Sequence, residues 1–235
     1  MTPLPLLLLR QPGTFWELVR AKRVGWPELL RLTLFIVFAC AVYGAVLAGW
    51  RSPRLAAYVA IKLPMLFLAT TALVSLFNWM LALLLGAGLR FRQTLAGVLG
   101  SMTVAAWILL SLTPVSLFFL LSGVPYSGNH DEVRYAHNSI LVTHILAIAC
   151  AGVAGNVVLF KGLRQVVSPR CSTFALFVTW VGMYAFVGCQ MSWILRPFVG
   201  SPFYPVAFMR PDCLQRNFYE FVFTEVLPYL LTGGA

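Results

Sequence analysis

Five stretches of 19 to 27 residues contain no Asp, Glu, Lys or Arg: residues 32–50, 63–85, 95–121, 140–160 and 173–195. The hydrocarbon core of a bilayer is about 30 Å thick and takes about 20 apolar residues of helix to cross. Backbone polar groups in hydrocarbon must be paired within their own segment, so each stretch is expected to be a transmembrane helix. The ends are marked by charge and by helix breakers. Arg31 and Arg51 bracket the first stretch, Gly86 and Gly88 close the second before Arg90, Lys161 closes the fourth, and Arg196 with Pro197 closes the fifth.

Composition supports this reading. The 235 residues are 60% hydrophobic and only 10% charged, whereas a soluble domain carries roughly 25% charged residues. Too few ionisable groups are present to coat a water-facing surface. The same figures exclude a disordered chain, which needs low hydrophobicity and high charge. The expected fold is an all-α polytopic bundle in three parts. Residues 1–31 form a cytoplasmic or interfacial segment, residues 32–195 the five-span bundle, and residues 196–235 an aromatic C-terminal cap with an interfacial helix.

The net charge of +10 is explained by basic loops beside anionic lipid headgroups, so no nucleic-acid partner is inferred. Segments on the N-terminal side of the bundle carry ten Lys and Arg, and those on the other side carry seven. The more basic side is expected to face the cytoplasm, which places the N-terminus inside and the C-terminus outside. A reporter enzyme active only in the cytoplasm, fused after Ala235, is expected to stay silent; activity there would reverse the orientation.

Residues 1–9 are apolar, but Arg10 follows the apolar tract and Pro3 and Pro5 interrupt it. A cleaved signal has its basic residues first, so this tract is expected to lie at the membrane. Thr14-Phe15-Trp16-Glu17 has the form of a capping box. Phe15, Leu18 and Val19 then share one helical face, followed by Arg20, Lys22 and Arg23. That pattern suits a basic amphipathic helix on a membrane surface, with Phe15, Leu18, Arg20 and Arg23 as its contact residues.

Small residues recur four apart at Cys40, Gly44 and Ala48, at Gly97, Ser101 and Ala105, and at Ala147, Ala151 and Gly155. This spacing lets helices approach closely in lipid, either within one chain or between copies. Polar side chains within the spans are few: Asn78, His144, Asn156 and Gln190. Charge-coupled transport relies on carboxylates or paired charges at membrane depth, and none is present in these stretches. Asn78 is expected to be an interhelical hydrogen-bonding residue, with a pore-lining role as the sharper alternative.

The five cysteines are odd in number and lack a CxxC pair, so neither a disulfide framework nor a metal knuckle is inferred. His130, Asp131, Glu132 and His137 are the one grouping with catalytic residue types. They are expected to lie in a solvated loop, and their spacing does not match metal-site signatures, so His130 and His137 are only weak metal candidates. No cofactor motif is present. The tail is dense in aromatic residues, and Trp193, Arg196, Pro197, Arg210 and Asn217 are candidates for a folded cap over one mouth of the bundle.

Pro12-Gly13 followed by Phe15-Trp16, then five closely spaced spans, resembles the Yip1-like membrane protein superfamily. The tail, from Ser192-Trp193-Ile194-Leu195-Arg196-Pro197-Phe198 through Arg210-Pro211 to Asn217-Phe218-Tyr219, resembles bacterial multi-pass proteins with no assigned activity. The resemblance implies a five-span fold with a cytoplasmic N-terminus. The small-GTPase partners of the eukaryotic members go with a long polar N-terminal domain that these residues do not include. The function expected from the sequence is a non-enzymatic membrane scaffold or accessory subunit that binds other membrane proteins or itself. An oligomeric channel or transporter past Asn78, and a membrane enzyme built on His130 and His137, are the alternatives.

Overall fold

The computed structural model describes residues 3–122, 130–200, 205–210 and 213–232. Two short helices come first, α1 (Leu4–Arg10) and α2 (Pro12–Arg20). Five long ones follow: α3 (Trp26–Gly49), α4 (Pro53–Leu84), α5 (Phe91–Leu121), α6 (His130–Val166) and α7 (Thr173–Leu195). The tail holds α8 (Phe218–Phe221), a π-helical turn (Val222–Val226) and α9 (Leu227–Thr232). No strand occurs among the described residues. All five long helices are long and apolar enough to cross a membrane.

The helices outrun the apolar stretches, for local reasons. Pro53 opens α4 at the first turn, behind the Ser52 side chain, which accepts from the Leu55 N–H at 3.1 Å. Pro is tolerated there because the first N–H groups of a helix have no partner in any case. Pro64 therefore lies inside α4. α6 begins at His130, so His130, Asp131, Glu132 and His137 lie on its first two turns and not in a loop. α2 begins at Pro12 behind Gln11, which puts Thr14 inside the helix and not at its cap. The opening proline sets the start three residues earlier than the capping-box pattern does.

The long helices are arranged around an arc in the order α6, α5, α3, α4, α7. α6 and α7, at the ends of the arc, touch each other lightly. One end of the bundle carries Arg20, Lys22, Arg23, Arg90, Arg92, Lys161 and Arg164 and is called the basic end. The other, where α3 passes to α4 and α7 passes into the tail, is the cap end.

Close approach comes from the small-residue stripes. A Cβ on Gly44 would sit 2.7 Å from the Val59 carbonyl oxygen, so α3 and α4 meet at backbone distance. A Cβ on Gly155 would sit 2.8 Å from the Ser101 carbonyl oxygen, where α5 crosses α6. These contacts fall on all three stripes and pack helices of one chain.

The first helices are not a surface appendage. Phe15, Trp16 and Val19 are buried, and the apolar face of α2 lies on α5 and α6. This corrects the expectation of a helix that turns its apolar face to lipid; Arg20 and Arg23 do remain exposed. The Trp16 ring lies between Gly97 and Gly162, and a Cβ on Gly162 would fall 1.8 Å from Trp16 Cε2. A Cβ on Gly100 would meet Phe15 at 2.8 Å. Three notches in α5 and α6 thus accept two aromatic rings. α1 continues along α5, where the Trp107 indole N–H donates to the Pro5 carbonyl at 2.9 Å. Trp107 is sixteen residues into α5, so α1 reaches about 24 Å along that helix from its basic end.

Gly162→Ala is expected to destabilise the protein by about 1–3 kcal/mol, the usual effect of overpacking. The measurement is a thermal melt in detergent, and Trp16→Leu placed in the same chain should recover most of the loss. An unchanged melting temperature for Gly162→Ala would mean that Trp16 does not occupy the notch.

Candidate functional site

Two regions gather polar groups: the cap at one end and a chamber inside the bundle. The cap is held by side chains that reach across from the spans. Trp50, at the end of α3, donates its indole N–H to the Val199 carbonyl at 2.9 Å. Lys62 is fully buried on α4, and its Nζ donates to the Pro197 carbonyl at 3.0 Å. The Phe208 ring centroid lies 5.0 Å from the same Nζ, and Phe208 packs edge-on against Tyr58. A buried cation is tolerated only when paired or hydrogen-bonded, and here a carbonyl and an aromatic face meet it. Gly200 has φ +76°, and a Cβ there would strike Leu55. Glycine is needed for the chain to turn so closely over α4.

The second half of the cap is mounted on α7. Trp193 donates its indole N–H to the Arg216 carbonyl at 2.7 Å, and the Arg196 guanidinium stacks 3.5 Å from the Trp193 ring centroid. Gln190 accepts from the Phe218 N–H at 3.0 Å. Tyr219 donates to the Phe186 carbonyl at 2.6 Å and stacks on the Phe186 ring. Burial pushes the Tyr219 phenol above its ordinary value, with a further push from Cys189, so the hydroxyl keeps its proton and remains a donor. Asn217 caps α8 by accepting from the Glu220 N–H at 2.7 Å, and Arg216 pairs with Glu225. The π-helical turn follows, just before Pro228, which has no N–H to give the preceding turn.

Of the residues expected to build this cap, Trp193, Arg196, Pro197 and Asn217 are brought together. Arg210 is exposed on the same stretch, where its carbonyl accepts from the Cys213 N–H at 3.1 Å. Residues 201–204 and 211–212 lie outside the described residues. Sequence reasoning missed Lys62, the residue just ahead of the second apolar stretch. The available signal was Pro53 behind Ser52, a helix start that places Lys62 nine residues into α4. Gln190, expected to be an intramembrane polar group, serves the cap instead.

His144 also has a structural partner. Its Nδ1 shares a hydrogen bond of 2.7 Å with the Tyr43 hydroxyl, both buried, tying α3 to α6. His137 lies against the Trp50 ring at 5.2 Å. The side chains of His130, Asp131 and Glu132 lie outside the described residues. Among the described residues, no three His, Cys, Asp or Glu are grouped to hold a metal ion.

The chamber lies between α4, α5, α6 and α7 and has a volume of about 230 Å³. Asn78, Ser101, Asn156 and Trp180 line it, among apolar residues such as Phe67, Leu109 and Ile148. Asn78, Ser101 and Trp180 are each 1% exposed, and Asn78 Oδ1, Ser101 Oγ and Trp180 Nε1 have no hydrogen-bond partner. Asn78 and Asn156, expected as intramembrane polar groups, thus share one space with Ser101, read from the sequence only as a small packing residue, and with Trp180, which the sequence did not single out.

Lys62→Met keeps the apolar stem and removes the donor. It is expected to free the cap and raise proteolysis between residues 196 and 216 at least threefold in proteoliposomes, with the spans still intact. Equal cleavage in both forms would show that Lys62 does not hold the cap. No family model, no curated protein and no solved structure matches this chain.

Proposed function

We propose that this chain is a non-enzymatic scaffold or accessory subunit of a bacterial inner membrane, which holds another membrane protein through α7 and the C-terminal tail. On this reading the basic end faces the cytoplasm and the cap the outside. The Yip1-like resemblance fits the span pattern of such a protein.

The observation that carries this reading is the mounting of the tail. Three side chains and a capped turn fix α8 to α7, and the continuation through the π-helical turn and α9 carries an exposed apolar surface. Phe223, Leu227, Tyr229 and Leu231 are exposed there. Ordering that many side chains opposes folding, and a mount built to present an aromatic surface gives the ordering a use. α7 supports the same reading. Only 11% of its most apolar window is buried, against 61% for α5.

A photo-crosslinking residue at Phe223, Tyr229 or Leu231 is expected to give one discrete protein adduct in the intact membrane. The same residue at Leu73, which is exposed on α4, should give none. Gln190→Ala combined with Tyr219→Phe should lower the tail adduct at least fivefold by loosening the mount. Adducts to lipid alone at all three tail positions would overturn the reading.

A further inference from the structure

The chamber is not used by the tail, and its chemistry is specific. We propose that it binds a neutral, lipid-soluble molecule with a hydroxyl head, drawn from the bilayer through the seam between α6 and α7. Three features of the chamber carry the proposal.

The first is the set of unpartnered polar groups. A buried polar atom without a hydrogen bond destabilises a protein by about 1–3 kcal/mol, and native structures contain few of them. Here three belong to residues that line one space of about 230 Å³. Trp180 Nε1 can only donate and Asn78 Oδ1 can only accept. A hydroxyl is the smallest group that does both in return, and Ser101 can take either role. No charged side chain lines the chamber, so nothing there would neutralise an anionic or cationic head.

The second is the distribution of polarity. Of the five polar lining residues, Asn78, Ser101, Asn156 and Trp180 lie within about 9–15 Å of the basic-end terminus of their helices and Tyr184 about 16 Å from it, taking 1.5 Å per residue. Phe67, Leu109 and Ile148 line the part about 25–27 Å from those termini. The chamber is therefore polar toward one membrane face and apolar toward the midplane, as an alcohol with a hydrocarbon chain would be. Its volume equals about eight water-sized groups. That admits a hydroxyl and the first carbons of a chain, and the remainder must leave through an opening.

The third is that opening. A Cβ built on Gly152, which lines the chamber on α6, meets nothing within 4 Å, and the same holds for Gly182 on α7. Ile148 and Ala185, lining residues on the same two helices, are exposed. The seam is thus open sideways, toward lipid, where the two helices touch only lightly.

The test uses the full chain in phosphatidylcholine nanodiscs and a hexadecanol bearing a diazirine on its chain, with the matching methyl ether as control. The alcohol is expected to label peptides containing Ile148, Gly152, Val181 and Ala185 saturably, at least fivefold above the ether, and plain hexadecanol should compete. Asn78→Leu and Trp180→Phe should each weaken labelling about fivefold, as expected for one lost hydrogen bond. Gly152→Leu should abolish it. Each variant is checked by its melting temperature. Ser101→Ala, which removes a single oxygen, replaces any that does not fold. Non-saturable labelling, equal labelling by the ether, or labelling unchanged in folded variants would overturn the proposal and leave the chamber as a water pocket. The tail adduct is read separately, so failure here and failure of the scaffold reading are distinguishable.

Discussion

Helices in hydrocarbon gain nothing from hiding apolar surface from one another, because lipid is as apolar as leucine. Their association rests on shape and on interhelical hydrogen bonds. In this bundle shape is supplied by glycine. Gly44 sets the contact of α3 with α4, and Gly155 that of α5 with α6. Gly97, Gly100 and Gly162 form the recess for Phe15 and Trp16. Hydrogen bonds such as Tyr43 to His144 then fix the register of helices already in contact. α7 packs mainly on α4 and stays at the edge of the arc. The chamber is a direct result, since four helices surround it and two of them scarcely meet.

The five spans were legible because long uncharged stretches admit one solution in a bilayer. Their ends were less legible. Pro53 and Pro12 moved the starts of α4 and α2 outward, since proline at the first turn extends a helix that a hydropathy reading begins later. α6 likewise starts ten residues ahead of its apolar stretch, carrying polar residues on helix that had been expected in a loop. The largest departure was the N-terminal pair of helices. Its basic amphipathic pattern is equally suited to a lipid surface and to a groove between helices. The pattern of α2 alone does not show that Gly97, Gly100 and Gly162, far along the chain, shape such a groove.

The site residues divide in the same way. Trp193, Arg196, Pro197 and Asn217 were recognisable from the clustering of aromatic and polar residues at the end of a span, and they do meet in one cap. Lys62 was not, because its role depends on a carbonyl 135 residues away. Asn78 and Asn156 were recognisable as polar residues in hydrocarbon, but their sharing of a chamber with Ser101 and Trp180 is a product of packing. Ser and Trp are common in spans and give no signal alone.

The seat of Trp16 also constrains how the chain is built. The ring is made before the spans it packs on, and its recess is completed only by Gly162. At about 5–20 residues per second, the chain from Trp16 to Gly162 takes roughly 7–30 seconds to appear. For that interval α2 has no α6 to bind, and its apolar face must be sheltered by lipid or by the insertion machinery. A segment made before the five spans thus finds its final position only after the fourth of them is in place.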